Sequence, residues 1–570
     1  MTNVVETIKH QIEEIVKKSI RKASENGEIP EIPVEELTIE VPKDAGHGDF
    51  STNIAMQGAK VAKKPPRQVA EIIINSMDLS NTYIERVETA GPGFINFFLN
   101  NDWLYDALKD IQTKREDYGR IDLGKGQRVM VEFVSANPTG PLHMGNARGG
   151  ALGDCIASVL EKAGYDVTRE YYINDAGNQI EKFGISLEAR YIQLLKGEDA
   201  IEFPEDGYHG EDIIERVKEY IEENGDKLLN VSSEERRKEL VDYVLPKNVE
   251  AIRKALESYG IKFDVWFSEQ SLYDNGEIQE TLEYLEKNGY TTEKDGAVWF
   301  KATELGADKD EVLIRNNGIP TYFASDIAYH RNKFIKRGFD RVINLLGADH
   351  HGHAGRMKCA VKALGIDPDK LDVVLFQLVR LYRNGEIARM SKRTGKAISL
   401  TDLLEEVGRD AARFFFNTKA SGNHLDFDLD LAVEESKDNP VFYVQYAHAR
   451  ICSMLNLLEG EGFKVPDVNS VQLTLLEAPE EIELMKKLAA YPEEIRISAQ
   501  TLEPSRLTRY VLDVAGGFHS FYNACKVKGQ DENLMKARMI LVDCTRIVIR
   551  NVLDLLSISA PEKMYKCFEE

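Results

Sequence analysis

The stretch Met130–Asp154, MVEFVSANPTGPLHMGNARGGALGD, constrains the fold of this chain more than any other. An apolar run from Val129 to Val134, rich in β-branched residues, has the length of a buried strand. The Asn137, Pro138, Thr139, Gly140, Pro141 cluster ends it abruptly. Small-residue signals follow, His143-Met144-Gly145-Asn146 and Arg148-Gly149-Gly150, and then an apolar pattern of helical period from Ala151 to Leu160. The order strand, tight turn, helix aims backbone N–H groups and the positive end of a helix dipole at whatever sits above the turn. A polyphosphate suits that position, so a nucleotide site is the first expectation.

A chain of 570 residues exceeds what one core supports, which predicts roughly three or four domains. Its residues are 43% hydrophobic and 29% charged, as in ordinary soluble proteins. The N-terminus carries no signal-peptide pattern and no segment reaches the roughly 20 apolar residues of a membrane span, so a cytoplasmic protein with no membrane partner is expected. Cys155, Cys359, Cys452, Cys525, Cys544 and Cys567 form no C-x-x-C pair, which indicates buried free thiols and neither a disulfide framework nor a zinc ribbon.

A net charge of -23 argues at first against a polyanionic partner. The acid is concentrated, however. Residues 201 to 230 carry ten Asp or Glu against three Lys or Arg, whereas residues 501 to 550 carry eight Lys or Arg against five acids. A nucleic acid held on a local surface therefore stays open, with weak non-specific binding.

Along the chain, Val4, Val5, Ile8, Ile12, Ile15, Val16, Ile20 and Ala23 predict one amphipathic helix, stopped at Asn26-Gly27. Gly46 to Ala59 reads as a loop feeding a second helix, and Phe94 to Leu99 as a short aromatic strand, so residues 1–110 form a small α+β unit. Its aromatics and amides, Asn96 among them, could meet an unpaired RNA base; the plain reading is a packed strand. Gly119 to Gly126 nearly matches a phosphate loop, but Gly126 replaces the metal-binding hydroxyl and the segment precedes a strand instead of following one.

The β/α alternation continues through Tyr165 to Asn174 and is then broken by a charged, largely helical insertion at about 190–300. Strand-like runs return at Val312 to Arg315, Arg341 to Leu346 and Val373 to Leu378, predicting a Rossmann-type parallel sheet split by that insertion. Three clusters follow. Tyr322 and Asp326 stand four apart on one helix face. Gly347-Ala348-Asp349-His350-His351-Gly352-His353 follows a strand directly, where an open α/β sheet presents its ligand groups. Arg389-Met390-Ser391-Lys392-Arg393 is a basic loop. The histidines invite a zinc reading, but adjacent histidines on such a turn seldom face one ion, and no protein-bound metal is expected.

In that order, His143-Met144-Gly145-Asn146, Gly347-x-Asp349-x-x-x-His353 and Arg389-Met390-Ser391-Lys392-Arg393 resemble the H-I-G-H, G-x-D and K-M-S-K-S elements of class I aminoacyl-tRNA synthetases. Glu132, the run from Ala136 to His143, Tyr322 with Asp326, Asp402-Leu403-Leu404 with Arg413-Phe414, Tyr446 to Arg450 and Ala560 to Met564 narrow the resemblance to the arginyl-tRNA synthetase family over essentially the whole chain. Asn146 stands where the class has histidine, and Arg389 and Arg393 stand where it has lysine and serine.

The resemblance implies a multidomain α/β enzyme: an N-terminal α+β tRNA-binding domain at 1–110, a class I catalytic domain at 111–410, a connecting segment at 411–440 and an all-α anticodon-binding bundle at 441–570. It implies ATP, with Mg²⁺ carried on it, at His143, Gly145, Asn146, Gly347, Asp349, His350, His353, Met390, Ser391 and Lys392. His143, Gly145, Asn146 and Lys392 would serve the chemistry. Glu132, Asn137, Tyr322 and Asp326 would line an arginine pocket, and Asn96, Tyr446 and Arg450 would contact tRNA. A carboxylate nucleophile is already ionised at neutral pH, so attack on the α-phosphorus needs no general base, and positioning and charge neutralisation carry the catalysis. A guanidinium has five N–H donors in a planar fork and calls for carboxylates.

After Asn439-Pro440 the periodicity predicts helices at Val441 to Leu458, Glu480 to Ala499, Pro504 to Val527 and Glu532 to Leu556. A monomer is the default. The alternatives are another class I ligase or a nucleotidyltransferase, disfavoured by the N-terminal unit, and a tRNA-binding module without catalysis, disfavoured by His143, Gly145, Asp349 and Lys392.

Overall fold

The computed structural model describes residues 3–34, 37–42, 44–388 and 398–564. Its centre is the strand Arg128–Glu132, enclosed from Val129 onward, as a strand covered on both faces must be. The apolar run continues to Val134, but the strand does not. Val134 and Ser135 take φ of 66° and 40°, and Ser135 N–H donates to Phe133 C=O at 2.9 Å, closing a tight turn that a β-branched residue rarely adopts.

The chain returns as the helix Met144–Lys162, almost wholly buried. Gly153 lets it lie against the sheet: a Cβ there would stand 2.3 Å from Phe133 Cγ. The five-stranded parallel sheet runs, in spatial order, Leu371–Phe376, Arg341–Gly347, Arg128–Glu132, Asp166–Ile173, Val265–Ser268. The first strand in the chain is therefore central, the next two lie on one side and the last two on the other. The order reverses between Arg128–Glu132 and Arg341–Gly347, where an open α/β sheet carries its ligand crevice.

The insertion differs from expectation. It is two excursions with a sheet strand between them. The first holds the helices Asn178–Lys196, Glu211–Asn224 and Ser233–Ser258, packed on their own core of Phe183, Tyr191, Tyr220 and Leu240. Val265–Ser268 then rejoins the parallel sheet inside the span read as insertion, because four half-buried edge residues give too short a pattern to stand out among charged helices. The second excursion ends in an antiparallel sheet of Thr291–Lys294, Ala297–Phe300 and Glu311–Ile314, so the run at Val312 belongs there and not to the parallel sheet. Tyr322–Arg331 follows as a helix and continues through a π-helical turn, Asn332–Lys336.

The N-terminal helix Val4–Glu25 is closed by an Asn3–Glu6 capping box and packs against the helices Pro66–Asn75 and Asp102–Lys114 of a unit that holds a four-stranded antiparallel sheet. Asn96 lies in its strand Phe94–Leu99, between two neighbours, and is 4% exposed.

The bundle contains Pro440–Gly460, Pro479–Ala489, Tyr491–Thr501, Ser505–Ala524 and Glu532–Leu555. The single helix expected over 480–499 breaks at Ala490, because Pro492 has no N–H to continue it and sits in the first turn of the next helix. Tyr491 is thereby laid on Gly119 (φ +90°), where a Cβ would be 2.3 Å from its ring. The near-match to a phosphate loop is a packing contact. Tyr118 Oη donating to Leu488 C=O, Asn551 Nδ2 donating to Arg115 C=O and the Lys486–Asp49 ion pair at 2.7 Å tie the remaining parts to the bundle.

Candidate active site

The loop between the central strand and its helix is held from three directions. Tyr171 Oη donates to Ala136 C=O at 2.7 Å, Asn248 Nδ2 of the helical excursion donates to Pro138 C=O at 3.1 Å, and Leu400 N–H donates to Leu142 C=O at 2.9 Å. His143, in extended backbone, starts the helix, and its N–H donates to Asn146 Oδ1 at 3.0 Å. His143 and Gly145 are exposed, and apart from its chain neighbours and its own helix backbone nothing lies within 4 Å of where a Cβ on Gly145 would stand. The helix N-terminus is thus open to an anion. Asn146 spends its oxygen on the cap and keeps its amide N–H groups as donors. Met390, Ser391 and Lys392, with Arg389 and Arg393, lie outside the described residues. The chain re-enters at Ile398, and Ser399 pairs with His143.

Across the crevice, the strand Arg341–Gly347 ends in a turn, Ala348–His350, that opens the helix His351–Ala363. The side chains of Asp349 and His350 are 80% and 54% exposed, facing solvent at the switch point. Asn344 pairs in register with Glu132, so the two strand ends are neighbours.

Beneath them runs a buried polar chain. Glu132 accepts from Lys333 Nζ at 2.5 Å and from Ser135 Oγ at 3.2 Å; Lys333, wholly enclosed, also donates to Asn344 Oδ1 at 3.2 Å. Asn344 Nδ2 stands 2.9 Å from His330 Nε2, and His330 Nδ1 stands 2.8 Å from the Asp326 carbonyl. A carbonyl only accepts, so Nδ1 carries the proton and Nε2 accepts from Asn344. Burial, with Lys333 nearby, holds the His330 imidazole well below its usual range and thus neutral, as that tautomer requires. Asp326 Oδ2 lies 3.3 Å from His353 Nε2.

Tyr322 and Asp326 share one helix face as expected, with Tyr322 65% exposed at the helix start. Beside them stand acids that sequence reasoning did not single out. Glu269 follows the strand Val265–Ser268, is buried, and accepts from Ser325 Oγ at 3.0 Å. Burial pushes its carboxyl up to about 7, with Asp326 and Asp175 adding to the rise. The signal was its place at the carboxyl end of a parallel strand, legible only once that strand is recognised.

In the bundle, the Arg450 guanidinium lies 3.9 Å over the Tyr522 ring, and Tyr443 packs 4.9 Å from His519, whose imidazole burial and Arg450 pull down to about 4. Tyr446 is half-buried beside them. Among the described residues no three His, Cys, Asp or Glu side chains are grouped to hold a metal ion, and no helix is long and apolar enough to cross a membrane.

A parallel sheet with a helix N-terminus and an acidic turn facing each other across its switch point, joined to a helical bundle, defines a class I aminoacyl-tRNA synthetase. Family models agree: residues 10–99 match the arginyl tRNA synthetase N terminal domain, 107–436 the catalytic domain of tRNA synthetases class I (R), and 444–564 the DALR anticodon binding domain. The arginine–tRNA ligases of Acetivibrio thermocellus and Ruminiclostridium cellulolyticum are 81% and 68% identical, each over 99% of this chain and 100% of the relative. The Thermus thermophilus arginyl-tRNA synthetase has the same fold, with a TM-score of 0.73 at 23% identity over 96% of this chain and 99% of that one. The chain belongs to the arginyl-tRNA synthetase family. It joins arginine to its tRNA with ATP, forming arginyl-adenylate and pyrophosphate and then transferring the arginyl group to the terminal adenosine.

Proposed function

We propose that the crevice orients arginine with its carboxylate toward His143 and its guanidinium toward Asp326 and Glu269. The observation that carries this reading is the Lys333–Glu132 pair: Glu132 already has an ammonium partner, whereas Asp326 meets the His353 ring and Glu269 the Ser325 hydroxyl, which makes these two acids the better receivers of a guanidinium. Glu132 and Asn137 then flank the amino-acid end, and Tyr322 covers the guanidinium. His143, Gly145 and Asn146 hold the ATP phosphates, and Gly347, Asp349 and His350 take the ribose and adenine side. Mg²⁺ arrives with ATP, and Met390, Ser391 and Lys392 serve the leaving pyrophosphate, whose charge grows in the transition state. A smaller amino acid leaves buried acids unpaired, costing about 1–3 kcal/mol per group, which supports selection without editing.

Residues 1–110 and the bundle at 441–570 flank the catalytic domain as tRNA-binding parts, with Tyr446 and Arg450 at the RNA surface, and the chain works as a cytoplasmic monomer. The test is steady-state aminoacylation. Asp326→Asn should raise the KM for arginine at least tenfold, about 1.4 kcal/mol, with that for ATP unchanged. Lys392→Ala should slow adenylate formation and leave tRNA binding intact. An unchanged arginine KM in the first variant overturns the orientation.

A further inference from the structure

The G-x-D-x-x-x-H element divides by exposure. Asp349 and His350 stand out in solvent, whereas the side chain of His353, one turn into the helix His351–Ala363, is only 16% exposed. Its ring stands edge-on to Phe323 at 6.1 Å and 82°, and nearly perpendicular to His350 at 6.5 Å. Its Nε2 atom lies 3.3 Å from Asp326 Oδ2. His353 is therefore turned away from the crevice mouth and toward the helix Tyr322–Arg331.

Asp326 is consequently held twice. The neutral His330 imidazole fixes its carbonyl, and His353 fixes its carboxylate. A planar fork of N–H donors rewards a carboxylate only when both oxygens are oriented, and an acid free to rotate gives part of that reward back as ordering entropy on binding. With Oδ2 anchored on His353, Asp326 meets the guanidinium in a preset orientation.

We propose that His353 is a positioning residue of the arginine pocket, holding the Asp326 carboxylate in register for the guanidinium, and that it is not a ligand of the nucleotide. The proposal rests on the reading that Asp326 receives the guanidinium. It reassigns the last residue of a nucleotide-site element to amino-acid recognition, which links the two substrates through one helix.

The test is steady-state aminoacylation by the full chain with saturating tRNA, varying arginine and ATP separately. His353→Ala should raise the KM for arginine about tenfold and leave the KM for ATP and kcat within about twofold. His353→Gln retains an N–H donor and should recover most of the loss; His353→Phe retains the ring without the donor and should not. The double variant His353→Ala with Asp326→Asn should be no worse than Asp326→Asn alone, because the histidine acts through that carboxylate. A raised ATP KM with arginine KM unchanged, multiplying losses in the double variant, or full recovery by His353→Phe overturns the proposal. Should Asp326→Asn itself leave arginine KM unchanged, the pocket reading fails first, and the single variants show which of the two is wrong. If His353→Ala does not fold, the Gln and Phe variants carry the same comparison.

Discussion

Asp154 on the helix Met144–Lys162 and Arg413 on the helix Arg409–Phe416 form an enclosed ion pair, Oδ2 to Nη2 at 2.6 Å. The same guanidinium donates to the carbonyls of Leu556, just past the last bundle helix, at 2.5 Å and Tyr259, just past the helical excursion, at 3.2 Å. Arg169 Nε reaches the other Asp154 oxygen at 3.2 Å. One planar side chain thus fastens the helix that presents His143 to both the excursion and the bundle, a task that needs several fixed N–H directions and a permanent charge.

Arg413→Met should therefore destabilise the catalytic domain and the bundle together. It leaves Asp154 buried without its main partner and two carbonyls without donors, a loss of about 3–5 kcal/mol. Urea unfolding followed by circular dichroism should show a lower midpoint, with Arg413→Lys intermediate because it keeps the charge and loses the fork. A midpoint equal to that of the parent would refute the fastening role.

Arginine affinity should depend on Glu269. Its carboxyl titrates at about 7 in the free protein, pushed up by burial, so it is mostly protonated near pH 6 and mostly ionised near pH 8. A guanidinium binds the ionised form, so the KM for arginine should fall as pH rises through about 7. The fold responds in the opposite sense. Between the unfolded value and about 7 the native state holds more protons, so stability without arginine declines as pH rises over that window. Glu269→Gln should flatten both profiles and weaken arginine binding at pH 8. Parallel profiles in parent and variant would exclude Glu269 from the pocket.

How far this site could be read from sequence follows from pattern length. The strand, turn and helix around His143 announce themselves because they join a long apolar run, a turn cluster and a helical period, and Tyr322 and Asp326 share a helix face by spacing alone. Glu269 and Lys333 do not. The first ends a four-residue strand within a charged span; the second is turned inward by a π-helical turn that shifts the helical phase. Asn96 reads as polar and available, yet it is 4% exposed, covered by what packs on its face of the sheet. Local periodicity carries no information about what covers a face.

Lys333 offers a thermodynamic check on the buried chain. Lys333→Met strands the Glu132 carboxylate in the interior and should cost about 3–5 kcal/mol. Adding Glu132→Gln removes the stranded charge and should restore much of the thermal midpoint. Single and double variants with equal losses would show that the pair is not the source of the effect.

The oxygen of Asn146 accepts the His143 N–H, which leaves its amide N–H groups for the proposed phosphate contact, two tasks that substitution can separate. Asn146→Asp keeps an acceptor for the cap and should leave the thermal midpoint nearly unchanged. It also sets a full negative charge at the helix end where the proposed site holds the triphosphate, cancelling the attraction of the helix dipole, so the KM for ATP should rise at least tenfold. Asn146→Ala loses the hydrogen bond to the His143 N–H at about 1 kcal/mol but adds no charge, and its ATP KM should rise less than that of the aspartate variant. The order of the two variants is the critical measurement. Were alanine to impair ATP binding more than aspartate, the amide would act only through the cap, and the phosphates would lie elsewhere than on this turn.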